Sequence, residues 1–421
     1  MPREGTTKPS VRKGFLRIPV TSWLAIVAVA ALGMATWQGS PRRVEPISGV
    51  GQVPLFTFVS MPDFLNTDIG DTRLRAGKGW DPGDPVSTNK SWSAALDTIL
   101  DEVKAEDPAV VLVAGDLVEG HWGVDVRKTG IFGPVGTPEE RLAAISNAAD
   151  LYYSAWLKRF QDRELRVLPA VGDHELGDNP WRVGSFKLDA VPTYKRVWAE
   201  KFTRTPTGHR FARRPVGTPF EDTAYAVRIA NTMFVTVDVF RPTQQGVRLT
   251  VDGGQLRWLD KVLGNARRSG VEHIVVQGHI PVLPDVRRRH SSALTMPGGA
   301  ETLFWETLDR HDVDLYLAGE MHDMTTLTRD GIVQVVHGGL AIYGQVNYLV
   351  GRVYADRIEL QLKAFHGVVT DNHRMWNTSY KRPTRGVSYA GGAHPVGSMV
   401  IDKSRGRTVL GARTGRLRDG M

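Results

Sequence analysis

Short apolar runs alternate with helical patterns along the first half of this chain. Residues 55–60, 109–114 and 165–171 are apolar and rich in β-branched residues, which predicts strands. Helical patterns at 92–105 and 139–160 lie between them. Such alternation predicts an α/β protein built on a layered sheet.

The second half of the chain is richer in predicted strands. Two apolar runs separated by Ala230-Asn231-Thr232 predict a hairpin. The predicted elements are the strands 224–229, 233–237, 273–277, 315–318, 325–328, 333–336, 348–354 and 358–365 and the helices 255–266 and 301–311. We expect these strands to form a second sheet that packs on the first.

The N-terminal part has the pattern of a membrane or export segment. Residues 18–37 are uncharged and apolar, and they are long enough to cross the ~30 Å hydrocarbon core of a bilayer. The basic residues before them predict that everything after the segment lies outside the cytoplasm. We therefore expect 1–40 to be a signal peptide or an uncleaved transmembrane anchor, with 41–53 as a linker. The predicted location is extracytoplasmic, either membrane-anchored or secreted.

Charge and composition narrow the functional classes. The 421 residues carry a net charge of +8 and no cysteine, which excludes disulfide scaffolds and thiolate chemistry. The charge lies at the ends: residues 1–17 carry +4, residues 377–421 carry +7, and the body carries −3. The body therefore predicts no nucleic-acid-binding module. The tail 377–421 has little periodic hydrophobicity, so we expect it to be a largely disordered or loosely docked extension that is able to contact an anionic envelope surface.

Candidate chemistry follows four of the predicted strands. Each strand is followed by a glycine and then by polar residues, and the carboxyl ends of strands in α/β sheets are where ligands bind. Because the chain has no cysteine, a metal ion there would bind to His, Asp, Glu or Asn. The polar residues in question are Asp116, Asp173, His174, Glu175, His279, Glu320 and His322.

The blocks Gly115-Asp116, Gly172-Asp173-His174-Glu175, Gly278-His279 and Gly319-Glu320-Met321-His322 stand in a familiar order. In these blocks the chain resembles the calcineurin-like metallophosphoesterases, the superfamily that includes purple acid phosphatases. The resemblance implies a domain over about 54–376 with the calcineurin-like four-layer αββα sandwich, an α/β fold with two packed mixed β-sheets. Two blocks depart from the family: Asp173 replaces an Asn ligand, and Glu320 replaces a His.

The resemblance also implies a function and the roles of residues. It implies a metal-dependent hydrolase of phosphate esters, in which a dinuclear metal centre activates a bridging hydroxide for in-line attack on phosphorus. Asp116 would bridge two metal ions, and His174 would be the general acid that protonates the leaving group. The implied metal ligands are Asp63, Asp116, Asp173, His279, Glu320 and His322.

The family's first block has the poorest match, near residue 61. Asp63 is the expected ligand there, with Asn66 or Asp68 as an alternative or companion. Four carboxylates and two imidazoles suit hard ions, so we expect two divalent or trivalent metal ions, Mn, Fe or Mg rather than Zn.

Two further interpretations concern partners. Arg287 and Arg288, soon after His279, are candidates for binding a substrate phosphate, although a solvated charged loop is the alternative. The alternative to an enzyme is a degenerate, non-catalytic member of the family that acts as an interaction module at the cell envelope. The N-terminal segment would contact the membrane if it is not cleaved.

Overall fold

The computed structural model describes residues 52–64, 90–118, 122, 132–288, 291–339, 345–369, 387–389, 391–403 and 408–418. Two mixed β-sheets form the centre of this part of the chain. In chain order the strands are β1 (Phe56–Ser60), β2 (Val110–Val113), β3 (Val167–Pro169), β4 (Arg204–Thr205), β5 (Gly208–His209), β6 (Tyr225–Ile229), β7 (Thr232–Thr236), β8 (Phe240–Thr243), β9 (Gly246–Leu249), β10 (His273–Gln277), β11 (Leu315–Ala318), β12 (Thr325–Arg329), β13 (Ile332–Val336), β14 (Gln345–Val353), β15 (Arg357–Val369), β16 (Val387–Tyr389), β17 (His394–Asp402) and β18 (Val409–Gly415).

The two large sheets each combine parallel and antiparallel pairs. The first has the strand order β18-β17-β15-β14-β1-β2-β3, with β16 paired to β15, and only β1, β2 and β3 are parallel neighbours. The second has the order β12-β13-β11-β10-β7-β6, in which β7, β10, β11 and β13 run parallel. The strands β4-β5 and β8-β9 form two small hairpins.

Helices make most of the connections between parallel strands, and β12 makes the connection from β11 to β13. The helices are α1 (Lys90–Ala105), α2 (Pro138–Gln161), α3 (Phe186–Asp189), α4 (Val191–Phe202), α5 (Gly253–Arg268) and α6 (Leu303–Arg310). The start of α2 is encoded locally, because Thr137 and Glu140 form a reciprocal capping box and Pro138 occupies the first turn. α1 joins β1 to β2 and α2 joins β2 to β3, while α5 and α6 make the corresponding connections in the second sheet.

The two sheets pack face to face through a continuous hydrophobic core. The rings of Phe58 on β1 and Phe234 on β7 meet edge to face with centroids 5.5 Å apart. The Tyr225 hydroxyl donates to the carbonyl of Pro169 at 2.7 Å, so a hydrogen bond also joins β6 to β3. The predicted α/β fold with two packed mixed sheets is confirmed.

The expectation of a disordered tail from residue 377 is wrong for the residues that the structure describes there. β16, β17 and β18 extend the first sheet, and Met399 and Ile401 of β17 are fully buried. Met399, Val400 and Ile401 form a short apolar run with two β-branched residues, which is a strand signal. It was missed because glycine and basic residues around it lower the average hydrophobicity of the segment.

Across the part of the chain that the structure describes, no helix combines the length and the apolar character needed to cross a bilayer. The predicted segment 18–37 lies outside the described residues, as do the predicted linker up to residue 51 and residues 370–386.

Candidate metal centre

Polar side chains follow the parallel strands of both sheets, at the point where each strand ends. Asp63, Asp116 and Asp173 come shortly after β1, β2 and β3, and His279 and Glu320 come directly after the turns that follow β10 and β11. Because the parallel strands of a sheet end on the same side, these side chains lie close together. All five are buried.

Possible ligand atoms form three groups among the described residues: two of them share the carboxylate of Asp116, and the third consists of Asp173, His174 and Asp178. Asp116, Asp173 and His279 each offer an atom within 4.8 Å of the others, and Asp63, Asp116 and His322 do the same. Glu320 Oε2 lies 3.5 Å from His279 Nε2, so it reaches the same cluster. The structure therefore brings together all six residues that the sequence predicted as ligands.

The ring of His279 is oriented so that one nitrogen faces the carboxylates. Its Nδ1 lies 2.7 Å from the carbonyl oxygen of Ala114, which can only accept, so Nδ1 carries a proton. The other nitrogen, Nε2, lies 3.2 Å from Asp173 Oδ1 and 3.4 Å from Asp116 Oδ1. A histidine whose second nitrogen donates to a carbonyl is the usual arrangement of a metal ligand.

The carboxylate of Asp63 indicates that a cation fits this cluster. Its Oδ1 accepts a hydrogen bond from the backbone N–H of Glu320 at 3.0 Å. Its Oδ2 is buried and has no hydrogen-bond partner among the described residues. A buried carboxylate oxygen without a donor is costly unless a cation binds it. Because Asp63 also belongs to one of the ligand groups, its Oδ2 is well placed to bind a metal ion.

Backbone strain is present at four of the same residues. Asp63, Asp116, Glu320 and His322 all have φ between 52° and 67°, the left-handed region that residues with a side chain rarely adopt. Such conformations cost about 1–3 kcal/mol each and persist where the surrounding structure imposes them, often at functional sites. Four strained positions within one cluster therefore support a functional role.

Two of the glycines that precede the ligands are required by close packing. Gly115 has φ +88°, and a Cβ there would lie 2.6 Å from His279 Nδ1. At Gly172 a Cβ would overlap Asp116. Gly115 therefore allows a turn with positive φ, whereas Gly172 is needed because two loops approach each other closely.

The electrostatics reflect crowded, buried carboxylates. Burial raises the pKa of Asp63 and of Glu320, and the charges of neighbouring carboxylates raise both further. Burial opposes the charged form of His279, but its carboxylate neighbours outweigh this and raise its pKa well above the usual value. For Asp173, burial is outweighed by the hydrogen bond from His279 and nearby positive charge, which hold its pKa below the usual range.

Glu175 has a positioning role that the sequence analysis did not assign. Its carboxylate is fully buried and accepts hydrogen bonds from the backbone N–H groups of Asp116 at 2.8 Å, Leu117 at 2.8 Å and Gly172 at 2.7 Å. Burial and the charge of Asp116 raise the pKa of Glu175 to about 7. It thus fixes the loop after β2 against the loop after β3.

His174 lies at the border of the cluster, in the 3₁₀ turn His174–Leu176. Its backbone N–H donates to Asp116 Oδ1 at 3.1 Å, and its carbonyl accepts a hydrogen bond from Trp122 Nε1 at 2.7 Å. The imidazole Nε2 lies 3.8 Å from Asp116 Oδ2, and 16% of the side chain is exposed. The backbone is therefore fixed while the ring can reach a molecule outside the cluster.

Other predicted residues are placed differently or lie outside the described residues. Asn66 and Asp68 belong to the latter. Arg287 is half-buried and Arg288 is exposed, and a contact with phosphate stays a prediction for both. Arg210 lies away from the cluster and lines a cavity of about 380 Å³ beside β3, between α2 and α4.

The chain is similar to one known protein family and to several solved structures. The family model described as calcineurin-like phosphoesterase matches residues 68–324. Among solved structures, one titled "Structure of PhoD" aligns with 86% of this chain and 73% of its own at 13% identity and a TM-score of 0.50. GAP50, "the anchor in the inner membrane complex of Plasmodium", aligns with 86% of this chain and 88% of its own at 11% identity and a TM-score of 0.38. A search of curated proteins finds no match.

Proposed function

This chain belongs to the calcineurin-like phosphoesterase family, and from that premise we propose that it is a metal-dependent hydrolase of phosphate esters with a dinuclear centre. The observation that carries the proposal is the pair of ligand groups that share Asp116. Two groups with one common carboxylate are the arrangement that a pair of bridged metal ions needs.

The residues divide between the two positions. Asp116, Asp173 and His279, with Glu320 beside them, would hold one ion, and Asp63, Asp116 and His322 would hold the other. The excess of carboxylate oxygen favours Mn, Fe or Mg over Zn. When bound, the two ions would activate water for attack on phosphorus and neutralise the charge that develops on the phosphoryl oxygens.

His174 is the residue that we assign to the leaving group. Its backbone is held by Asp116 and Trp122, and its ring is the partly exposed imidazole next to the cluster. A general acid must lie within hydrogen-bond reach of the oxygen that leaves, so an accessible ring at the border of the centre suits this role better than a buried one.

The proposal is tested on the full chain with Asp116→Asn. We expect hydrolysis of a panel of phosphomonoesters and phosphodiesters in the presence of Mn²⁺ to fall by orders of magnitude, together with the metal content. Asp162→Asn is the matched control, because Asp162 is an exposed carboxylate paired with Lys158 on the helix surface. Such a pair contributes little to stability.

Two outcomes would contradict the proposal. One is full activity and full metal content in the Asp116→Asn protein. The other is a wild-type protein that binds no metal and hydrolyses no ester on the panel, which would favour the non-catalytic interaction module. The panel also separates monoesterase from diesterase activity.

We further propose an extracytoplasmic location, supported by the apolar segment 18–37 and the basic residues before it. A C-terminal reporter that is active only outside the cytoplasm tests this location. An inactive reporter on a stable fusion would contradict it.

A further inference from the structure

A hydrogen-bonded bridge joins two of the proposed ligands from distant parts of the chain. The side-chain amide of Asn179 donates to Asp173 Oδ2 at 2.6 Å and to Ser292 Oγ at 2.9 Å. The hydroxyl of Ser292 has one hydrogen, and it donates to Glu320 Oε1 at 2.7 Å. The hydrogen bonds between Asn179 and Glu320 are therefore donated in one direction: the Asn179 amide donates to the Ser292 hydroxyl, and that hydroxyl donates to the Glu320 carboxylate.

In both carboxylates, one oxygen accepts a hydrogen bond from the bridge and the other oxygen faces His279. Asp173 uses Oδ2 for Asn179, and its Oδ1 faces His279 Nε2 at 3.2 Å. Glu320 uses Oε1 for Ser292 and for the backbone N–H of Leu294 at 3.0 Å, and its Oε2 faces the same His279 nitrogen at 3.5 Å. Each carboxylate thus presents a single oxygen to the cluster.

We propose that Asn179 and Ser292 are positioning residues that hold Asp173 and Glu320 as one-oxygen ligands and so make the centre selective for small divalent cations. This inference rests on the proposed function, because it assumes that the cluster binds metal. A carboxylate with a free second oxygen can rotate and bind through both oxygens. Ca²⁺ accepts such two-oxygen ligands at longer distances, whereas Mg²⁺ requires near-octahedral geometry at shorter ones.

The loop that carries Ser292 also accounts for Glu at position 320, where the family has His. Two donors, the Ser292 hydroxyl and the Leu294 N–H, converge on Glu320 Oε1. A carboxylate oxygen accepts both, whereas an imidazole ring has one acceptor nitrogen, which metal binding would occupy. Ser292 and Leu294 therefore complement a carboxylate specifically.

The test measures binding of Mn²⁺ and of Ca²⁺, each alone, to the metal-stripped full chain by calorimetry. Ser292→Ala and Asn179→Ala should each weaken Mn²⁺ binding by about 10-fold, the lower range for residues that orient metal ligands. Ca²⁺ binding should change less, so the preference for Mn²⁺ narrows. Ser292→Thr keeps the hydroxyl and should restore the wild-type ratio. Ser291→Ala is the loop control, because the Ser291 hydroxyl contacts Met321 and Ala293 rather than a ligand.

The outcomes separate this inference from the proposed function. A wild-type protein that binds neither ion would overturn both. Wild-type binding of Mn²⁺ together with a Ser292→Ala protein that matches Ser291→Ala would overturn the bridge alone. An equal loss for both ions, with a lower unfolding temperature in EDTA, would show that Ser292 merely stabilises the loop and would also overturn it.

Discussion

Four buried carboxylates surround the His279 ring in the candidate centre: three face its Nε2, and Asp63 lies 3.8 Å from its Nδ1. Asp63, Asp116, Asp173 and Glu320 are all buried, and one protonated His279 cannot neutralise four negative charges. Without further cations some of these groups must take up protons, in keeping with the raised pKa of Asp63 and of Glu320. Bound metal ions would remove the need for those protons. These buried carboxylates by themselves therefore argue for bound cations.

The role of His174 can be isolated by the choice of leaving group. His174→Ala should lower hydrolysis of alkyl phosphate esters by about 10²–10⁴-fold, the usual contribution of a general acid. Nitrophenyl esters should lose much less, because nitrophenolate leaves without a proton. Steady-state rates on the two ester types, with metal content measured alongside, check this prediction. An equal loss on both types would count against proton donation.

The ligands were easier to predict from the sequence than the residues that position them. Asp116, Asp173 and Glu320 each follow a strand and a glycine, which is a local signal. Asn179 and Ser292 carry no such signal, because their roles depend on a contact between positions far apart in the chain. Glu175 stands in one of the motif blocks, but only the folded structure shows which backbone N–H groups donate hydrogen bonds to it.

The buried His337 joins the ends of strands from both sheets. His337 follows β13, and its Nε2 lies 3.0 Å from the hydroxyl of Ser60 at the end of β1. Its Nδ1 lies 3.2 Å from Asn347 Oδ1 on β14. Because Asn347 Oδ1 can only accept, Nδ1 donates to it, and in the neutral ring that burial favours, Nε2 accepts from the Ser60 hydroxyl. This contact fixes the end of β1 just before Asp63.

The neutral ring predicts a pH dependence of stability. Burial lowers the pKa of His337 to about 3 from the ordinary 6.5. The unfolded chain therefore binds a proton at a higher pH than the folded chain. Stability from this group is complete above about pH 6.5 and is lost as the pH falls toward 3, by up to about 1.4 kcal/mol per pH unit.

Denaturant unfolding in EDTA between pH 7.5 and 4 measures this dependence. His337→Gln keeps polar atoms in the gap but has no titrating group, so its stability should fall less steeply than that of the wild type. Other groups titrate in both proteins, and the difference between the two curves isolates His337. Parallel curves would contradict the prediction.

Most elements were predictable because their signals are local. β10 and β11 agree with the predicted ranges, and α2 differs by one residue at each end. Helix α4 was missed although Val191, Tyr194 and Trp198 recur on one face and are buried. Strand β17 includes Pro395 and Gly397, residues that are unfavourable in isolated strands, and is held by its neighbours β15 and β18. Pairing between distant strands overrides local preference there.

A network of ion pairs around Lys403 links the C-terminal strands to the second sheet. Lys403, just after β17, is 3% exposed, and its Nζ lies 2.7 Å from Asp312 and 2.8 Å from Asp314. Arg267 of α5 also faces Asp314 at 3.6 Å, and the Thr408 hydroxyl donates to it at 3.0 Å. Lys403 is therefore not available for an anionic surface, although the +7 of the C-terminal region includes it. Binding of the remaining charges to such a surface stays a prediction.

This network predicts that the C-terminal residues contribute to stability. Lys403→Met keeps an unbranched side chain but removes the charge and leaves the fully buried Asp314 with Arg267 as its remaining cationic partner. Breaking a buried ion pair from one side costs about 3–5 kcal/mol, and we expect about 3 because Asp312 is half-exposed and Arg267 remains. The free energy of unfolding from urea titration measures the loss, with Arg418→Ala as the control for an exposed cation of the same region. If both variants unfold at the wild-type urea concentration, the ion network at the C-terminal strands does not contribute to stability, and the prediction is wrong. A lower free energy of unfolding that is confined to Lys403→Met shows that these strands are part of the same folded body as the metal centre.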